Sequence, residues 1–221
     1  MRSTFLFGAV AVAATAFSAS ADLVGNPTPW EGGELEVRYV GSSSSFAPGD
    51  TLFDAQAGPY ASLPVGTGLR GWTAYETTAA SGGDSFFLGQ FIFVGGVDTE
   101  GASVGFDFYE WDSATGAPGA FVDSFSVALP QAGAFIWTIT LDPGFAIPTA
   151  GYVEMNVADD AGGLGRWFLT TTAPATGSIL ASFGTPDYSS QAFRMVEGVP
   201  APGAIALLGV AGLAGSRRRR N

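Results

Sequence analysis

Histidine, cysteine and lysine are all absent from this chain. With them go the imidazole general bases, thiol nucleophiles and Schiff-base amines on which many catalytic sites are built. Composition alone excludes a Ser-His-Asp triad and a His- or Cys-ligated zinc site. Carboxylates and aromatic rings are left to do whatever chemistry the side chains do.

Three short stretches bring acids together. Asp98 and Glu100 flank Thr99 ahead of Gly101; Asp107, Glu110 and Asp112 fall in one segment; Asp159-Asp160 precede Ala161-Gly162-Gly163. Two carboxylates facing one groove would suit glycoside hydrolysis. Strand alternation, however, puts Asp107 and Glu110 on opposite faces, where no single groove uses both. Calcium fits the glycine-flanked pairs better, because a hard cation takes several oxygens from loops rich in Asp and backbone carbonyls. Asp98, Glu100, Asp159 and Asp160 are therefore the candidate metal ligands, and calcium is the one candidate cofactor. Neither pair has EF-hand spacing, and two solvated acidic turns remain the alternative.

Among the aromatics, Trp30, Trp72, Tyr75, Tyr109 and Trp111 are candidates for a stacking platform under sugar rings, although aromatics in a β protein more often belong to the core. Tyr109 and Trp111 stand apart because alternation gives them the same face as Asp107, a face that a charged residue marks as solvated. They are the candidate glycan contacts. No residue is assigned a catalytic role, and the chain reads as a non-enzyme.

The elements that must carry these residues are strands. Apolar residues recur with period two: Leu35, Val37 and Tyr39 against Glu34, Glu36 and Arg38; Val104, Phe106 and Phe108 against Asp107, Tyr109 and Trp111. Phe121, Phe125, Val127 and Leu129 follow, then Phe135, Trp137, Ile139 and Leu141, then Val153, Met155 and Val157. Asp84 to Val94 is apolar on both faces, as a central strand would be. Trp167 to Thr172, Ser178 to Phe183 and Gln191 to Val196 close the series. Gly95-Gly96, Gly116-Ala117-Pro118-Gly119, Asp142-Pro143-Gly144 and Gly162-Gly163 read as the intervening turns. The stretch from Pro48 to Gly68 reads as a long loop. About nine short strands with turns between them predict an all-β fold: one antiparallel β-sandwich. The turn after Trp111 resembles the strand-connecting loop of jelly-roll domains in bacterial surface proteins, which makes the expected sandwich jelly-roll-like.

Charge narrows the partners. All 20 acidic residues lie between Asp22 and Glu197, against four arginines there (Arg38, Arg70, Arg166 and Arg194), a net of −16. Such a body repels nucleic acid and anionic lipid. Without disulfides its stability must come from burial, for which the chain carries 18 phenylalanines and 5 tryptophans.

Both ends read as address labels. Arg2, the apolar run from Phe5 to Phe17 and the small residues Ala19-Ser20-Ala21 form a secretory signal peptide cleaved after Ala21. At the other end come Val199-Pro200-Ala201-Pro202-Gly203, an apolar run from Ala204 to Gly215, and Arg217-Arg218-Arg219-Arg220. The prolines keep the chain extended before the run, and the arginines resist translocation. A helix over that run rises only about 20 Å, short for a hydrocarbon core of about 30 Å.

This order of motif, apolar helix and basic cluster resembles the PEP-CTERM sorting tail of bacterial exported proteins, with Ala201 where the family usually has glutamate. The resemblance implies an exosortase-like sorting transpeptidase as partner, alongside the secretion machinery. It also implies transient inner-membrane anchoring before release to the cell surface, and a producer of exopolysaccharide. The expected organisation is a signal helix at 1–21, a sandwich at 22–198 and a sorting tail at 199–221, with residues 197–202 as a linker. The expected role is that of a non-catalytic surface or matrix protein. A carbohydrate-binding, lectin-like module, calcium-dependent or not, is the alternative, and a carboxylate-only glycosidase a further one.

Overall fold

A computed structural model describes residues 28–41, 46–65, 71–78, 83–142, 144–157, 165–182 and 189–200. Ala19, Ala21, Asp159, Asp160, Ala201, Pro202, Gly203 and Arg217 to Arg220 lie outside the described residues, so the signal-peptide site, one acidic pair and most of the tail do too. Every regular element described is a β-strand.

The smaller sheet has five strands, in the order β13 (Ser178–Ser182), β5 (Gly71–Glu76), β11 (Ala150–Val157), β7 (Ser103–Asp112) and β8 (Ala117–Ala128), all antiparallel. The larger sheet curls as a half-barrel. Its main path runs β1 (Thr28–Pro29), β4 (Tyr60–Val65), β12 (Gly165–Thr170), β6 (Ser85–Val97), β15 (Phe193–Pro200) and β3 (Phe46–Asp54). β14 (Ser190–Gln191) joins β12. β10 (Ala146–Pro148) and β9 (Gly133–Thr140) line the far edge of β6, and β2 (Val37–Val40) pairs with β9. That last pair is parallel, the one departure from the expected antiparallel pattern among the described residues.

The expectation of a central strand holds for β6, which has β15 and β12 along one edge and β10 and β9 along the other. Strict alternation would send Phe86 and Leu88 to one face and Phe91 and Phe93 to the other, yet all four sit in one core cluster. An extra residue at Gly89–Gln90, where the register against β15 slips, resets the phase. Gly95-Gly96, read from sequence as a turn, lies inside β6. A Cβ on Gly96 would collide with the Gly133 carbonyl of β9, and one on Gly95 with the Arg166 carbonyl of β12. Close backbone approach on both sides, not chain reversal, explains the glycines.

The two sheets meet through aromatic rings. Phe91 of β6 lies 4.6 Å from Phe106 of β7, Phe93 lies 5.0 Å from the same ring, and Trp167 of β12 stands edge-on to it at 5.3 Å. Phe53, Phe193, Trp137, Tyr75, Val153 and Met155 complete this fully buried layer. Its polar tips are satisfied locally: Trp137 Nε1 donates to the Gly95 carbonyl at 3.2 Å, and the Tyr75 hydroxyl to the Pro148 carbonyl at 3.3 Å. Burial pushes the Tyr75 phenol far above its ordinary pKa. A second cluster lies on the opposite face of the larger sheet, where Trp30 and Tyr60 pack on Phe168, with Val94, Ala192, Leu35 and Ile136 beside them.

Four sequence expectations are corrected here. The stretch from Pro48 to Gly68 is not a loop: it holds most of β3 and all of β4, with Leu52, Phe53, Leu63 and Val65 buried. Its prolines and glycines hide the strands because β3 is an edge strand with bulges, where a missing N–H is tolerated. The described residues alone form fifteen strands where about nine are expected. Val37 and Tyr39 do not face the core; they are 44% and 77% exposed, while Val40 packs inward. As an edge strand, β2 extends the outer face of the larger sheet, and only Leu35 is covered there. Finally, residues 197–200 are not linker, since Val199 and Pro200 pair with Ala47 and Phe46 of β3.

Two substitutions test where the stability lies. Phe91→Ala should cost about 3–5 kcal/mol in a urea unfolding experiment, because Phe91 is the ring that both sheets share. Tyr39→Ala should stay within about 0.5 kcal/mol, as its ring is largely in water.

Candidate functional site

Strand pairing fixes what the outer face of the smaller sheet displays. Glu154 of β11 lies opposite Trp72 of β5 and Asp107 of β7; Tyr152 lies opposite Ala74 and Tyr109. β8 adds Phe121 beside Tyr109 and Ser124 beside Asp107. One row is thus Tyr152, Tyr109 and Phe121, and the next is Trp72, Glu154, Asp107 and Ser124. Neighbours across strands come close enough for side chains to interact directly.

The rings form a continuous chain. Trp72 stacks on Tyr152 at 5.1 Å and 28°, Tyr109 stands edge-on to Tyr152 at 5.6 Å, and Phe121 edge-on to Tyr109 at 5.6 Å. Edge-to-face and offset contacts are the arrangements that ring quadrupoles favour. Tyr152 is buried beneath its neighbours; Trp72, Tyr109 and Trp111 are half-exposed, and Phe121 is 57% exposed. The row therefore brings Trp72, Tyr109 and Phe121 partly into solvent around a buried Tyr152, on a face that also carries the buried Glu154 and the polar Asp107 and Ser124.

Hydrogen bonds order the polar part. Asn156 Nδ2 donates to Asp107 Oδ2 at 2.7 Å, and the Tyr152 hydroxyl donates to Glu154 Oε2 at 3.2 Å. Asp107 retains acceptor capacity, since a carboxylate has about four lone-pair sites. Flat rings flanked by oriented carboxylate and amide groups can stack on the apolar face of a pyranose and bond its hydroxyls.

The hairpin tip between β7 and β8 holds the end of this face. Asp112 Oδ1 accepts from the Ala114 N–H at 2.9 Å, Oδ2 accepts from the Thr115 hydroxyl at 2.8 Å, and the Asp112 carbonyl accepts from the Gly116 N–H at 2.8 Å. Gly116 follows with φ +66°, a left-handed conformation that favours glycine. The Thr115 and Ala114 bonds lower the Asp112 pKa. This turn ends at Gly116, so Ala117, Pro118 and Gly119 are already strand rather than the turn residues that composition suggests.

Of the two glycan candidates, Tyr109 lies within the aromatic row. Trp111 is two residues further along the same face of β7, opposite Pro118. The other three aromatics divide: Trp72 joins the row, Tyr75 is core, and Trp30 covers Phe168. Two members were not singled out from sequence. Tyr152 sits in an alternating strand whose outer residues look merely polar. Phe121 shares the parity of Phe125 and Val127 and reads as inward. A bulge at Val122 reverses it, because Asp123 pairs with Phe108 while Phe121 pairs with Tyr109.

The metal candidates are less converged. Asp98 Oδ1 accepts from Arg166 Nε at 3.1 Å and Nη2 at 2.9 Å, an exposed ion pair, and Glu100 is exposed in the same turn. Among the described residues, no three acidic side chains gather closely enough to hold a metal ion. No family model matches the chain, and neither a curated protein nor a solved structure matches it.

The lowered Asp112 pKa gives a pH test. The turn's contribution is complete above the ordinary carboxylate range and disappears as pH falls through the depressed value. Amide exchange at residues 114–116, corrected for its intrinsic pH dependence, should show protection that fails only below the pH at which a free aspartate protonates. Asp112→Ala should remove that protection at every pH.

Proposed function

We propose that this chain is an exported, non-catalytic surface or matrix protein that contacts polysaccharide through the outer face of its smaller sheet. The observation that carries the reading is the row Trp72, Tyr152, Tyr109 and Phe121 beside an ordered carboxylate on the outer face of the smaller sheet. Partly exposed rings grouped around a buried one, on a heavily charged protein, mark an interaction surface. Sugar is the fitting ligand because it combines an apolar ring face with a rim of hydroxyls.

Export rests on the two ends. Signal peptide, sorting motif, apolar run and arginine cluster stand in the order that the PEP-CTERM resemblance implies, with an exosortase-like transpeptidase as the processing partner. The body between them is read as a jelly-roll-like sandwich with a helix at either flank. The two facing sheets support the sandwich, and the parallel β2–β9 pair is its departure from a simple jelly roll. Because β15 continues to Pro200, the first two motif residues, Val199 and Pro200, belong to the sheet and no linker precedes them. A calcium-dependent lectin is the variant reading, and a chelator distinguishes it.

Two measurements test this. The full chain, incubated with the producer's own polysaccharide, should bind it, and Tyr109→Ala or Phe121→Ala should each weaken binding about tenfold, the effect of losing one ring contact of about 1.4 kcal/mol. Unchanged affinity in both variants would remove the aromatic row from the interface. Release of reducing sugar would replace binding with hydrolysis, and loss of binding in chelator would add calcium. Mass spectrometry of the extracellular protein should find Asp22 at its start and no arginine cluster at its end; Arg217 to Arg220 still attached would exclude sorting by removal of the tail.

A further inference from the structure

The two sheets do not close against each other everywhere. Between β8, the last strand of the smaller sheet, and the end of β9 in the larger one lies a cleft of about 410 Å³. Phe125, Val127, Leu141 and Phe145 give it apolar walls, and Asp123 and Asp142 stand in it as carboxylates. The volume lies in the range of ordinary ligand sites, about 300–1,000 Å³.

Three further observations bear on what would enter. β8 is twelve residues long and has no described strand on its far side, so alternate backbone N–H and C=O groups face away from the ladder. Asp123 points inward on this edge, paired in register with the buried Phe108, and its Oδ1 accepts from the neighbouring Ser124 N–H at 2.8 Å. The described arginines are engaged elsewhere: Arg38 with Glu36 and Gln131, Arg166 with Asp98, Arg194 with Asp54. An inward carboxylate at a sheet edge repels a second copy of a chain whose body carries −16. The same charge favours a cationic strand.

We propose that this cleft binds an extended, basic segment of a partner protein, which adds to β8 as a further antiparallel or parallel strand. Alternate side chains of such a segment point the same way. Only its inward-facing side chains, every second residue, enter the cleft: an apolar one against Phe125 and Phe145, and a basic one, two residues along, at Asp123 and Asp142. Backbone pairing supplies much of the affinity, and the two carboxylates supply the choice of partner. The site is separate from the outer aromatic face, because Phe125 and Phe121 lie on opposite sides of β8 across the bulge at Val122.

A capped synthetic peptide is the probe, with the full chain; it carries Arg and Val in turn at every second position, with Ser between them (the Arg-Val peptide). It should slow amide exchange along β8 and leave β13, the opposite edge of the same sheet, unchanged. A Glu-Val peptide should not bind, and an Arg-Ser peptide should bind about tenfold more weakly for want of apolar contacts. Asp123→Asn combined with Asp142→Asn should weaken the Arg-Val peptide about tenfold. Asp123→Arg should transfer the preference to the Glu-Val peptide, a gain that misfolding would not produce. No protection at β8, equal binding of the Arg-Val and Arg-Ser peptides, or an unaffected double variant would each overturn the proposal. So would protection of β8 that grows with the protein's own concentration, which would assign the edge to a second copy, or protection by polysaccharide alone.

Discussion

Phe106 is the ring around which the molecule is arranged. It touches Phe91, Phe93, Phe125 and Trp167, and so ties the middle of the smaller sheet to β6 and β12 of the larger one. A protein with no cysteine has no covalent cross-link to limit its unfolded ensemble, so interlayer packing of this kind must supply the stability. Once Val104, Phe106 and Phe108 are committed to the core, the period of the strand obliges Asp107, Tyr109 and Trp111 to face outward. The candidate site is therefore a consequence of the core, displayed on its reverse side.

The same logic explains why β8 is the most consequential strand. It supplies Phe125 to the core, Phe121 to the aromatic row and Asp123 to the cleft, three roles that strict alternation could not distribute in this way. Its bulge at Val122 makes that distribution possible by reversing parity between Phe121 and Asp123. A second irregularity, between the Tyr109 and Trp111 pairings, lets Pro118 and Gly119 be accommodated in an edge strand. Bulges of this kind also bend an edge away from indiscriminate pairing.

Much of this was legible in the residues. The alternation in β7, β9 and β11 predicts which side chains join the core, though Thr138, Tyr152 and Glu154 on the other face are buried as well, and the two-sided apolarity of β6 predicts its central place. The absence of histidine, cysteine and lysine by itself narrows the chemistry. Tyr109 and Trp111 are identified as outward by parity with Asp107. What sequence obscured were features created by neighbours. Gly95-Gly96 looks like a turn until carbonyls on either side account for the missing side chains, and β3 and β4 look like loop because proline and glycine are read as breakers.

The chain by itself determined the all-β class, the acidic body and the inward faces of its regular strands, because each depends on local composition or a fixed two-residue period. Only the tertiary structure decided which outward aromatics become neighbours, where the bulges reverse a face, and where the two sheets leave a cleft. Those depend on register between strands distant in sequence. A shift of one residue exchanges one face for the other, and the partner strand, not the strand's own sequence, sets that shift.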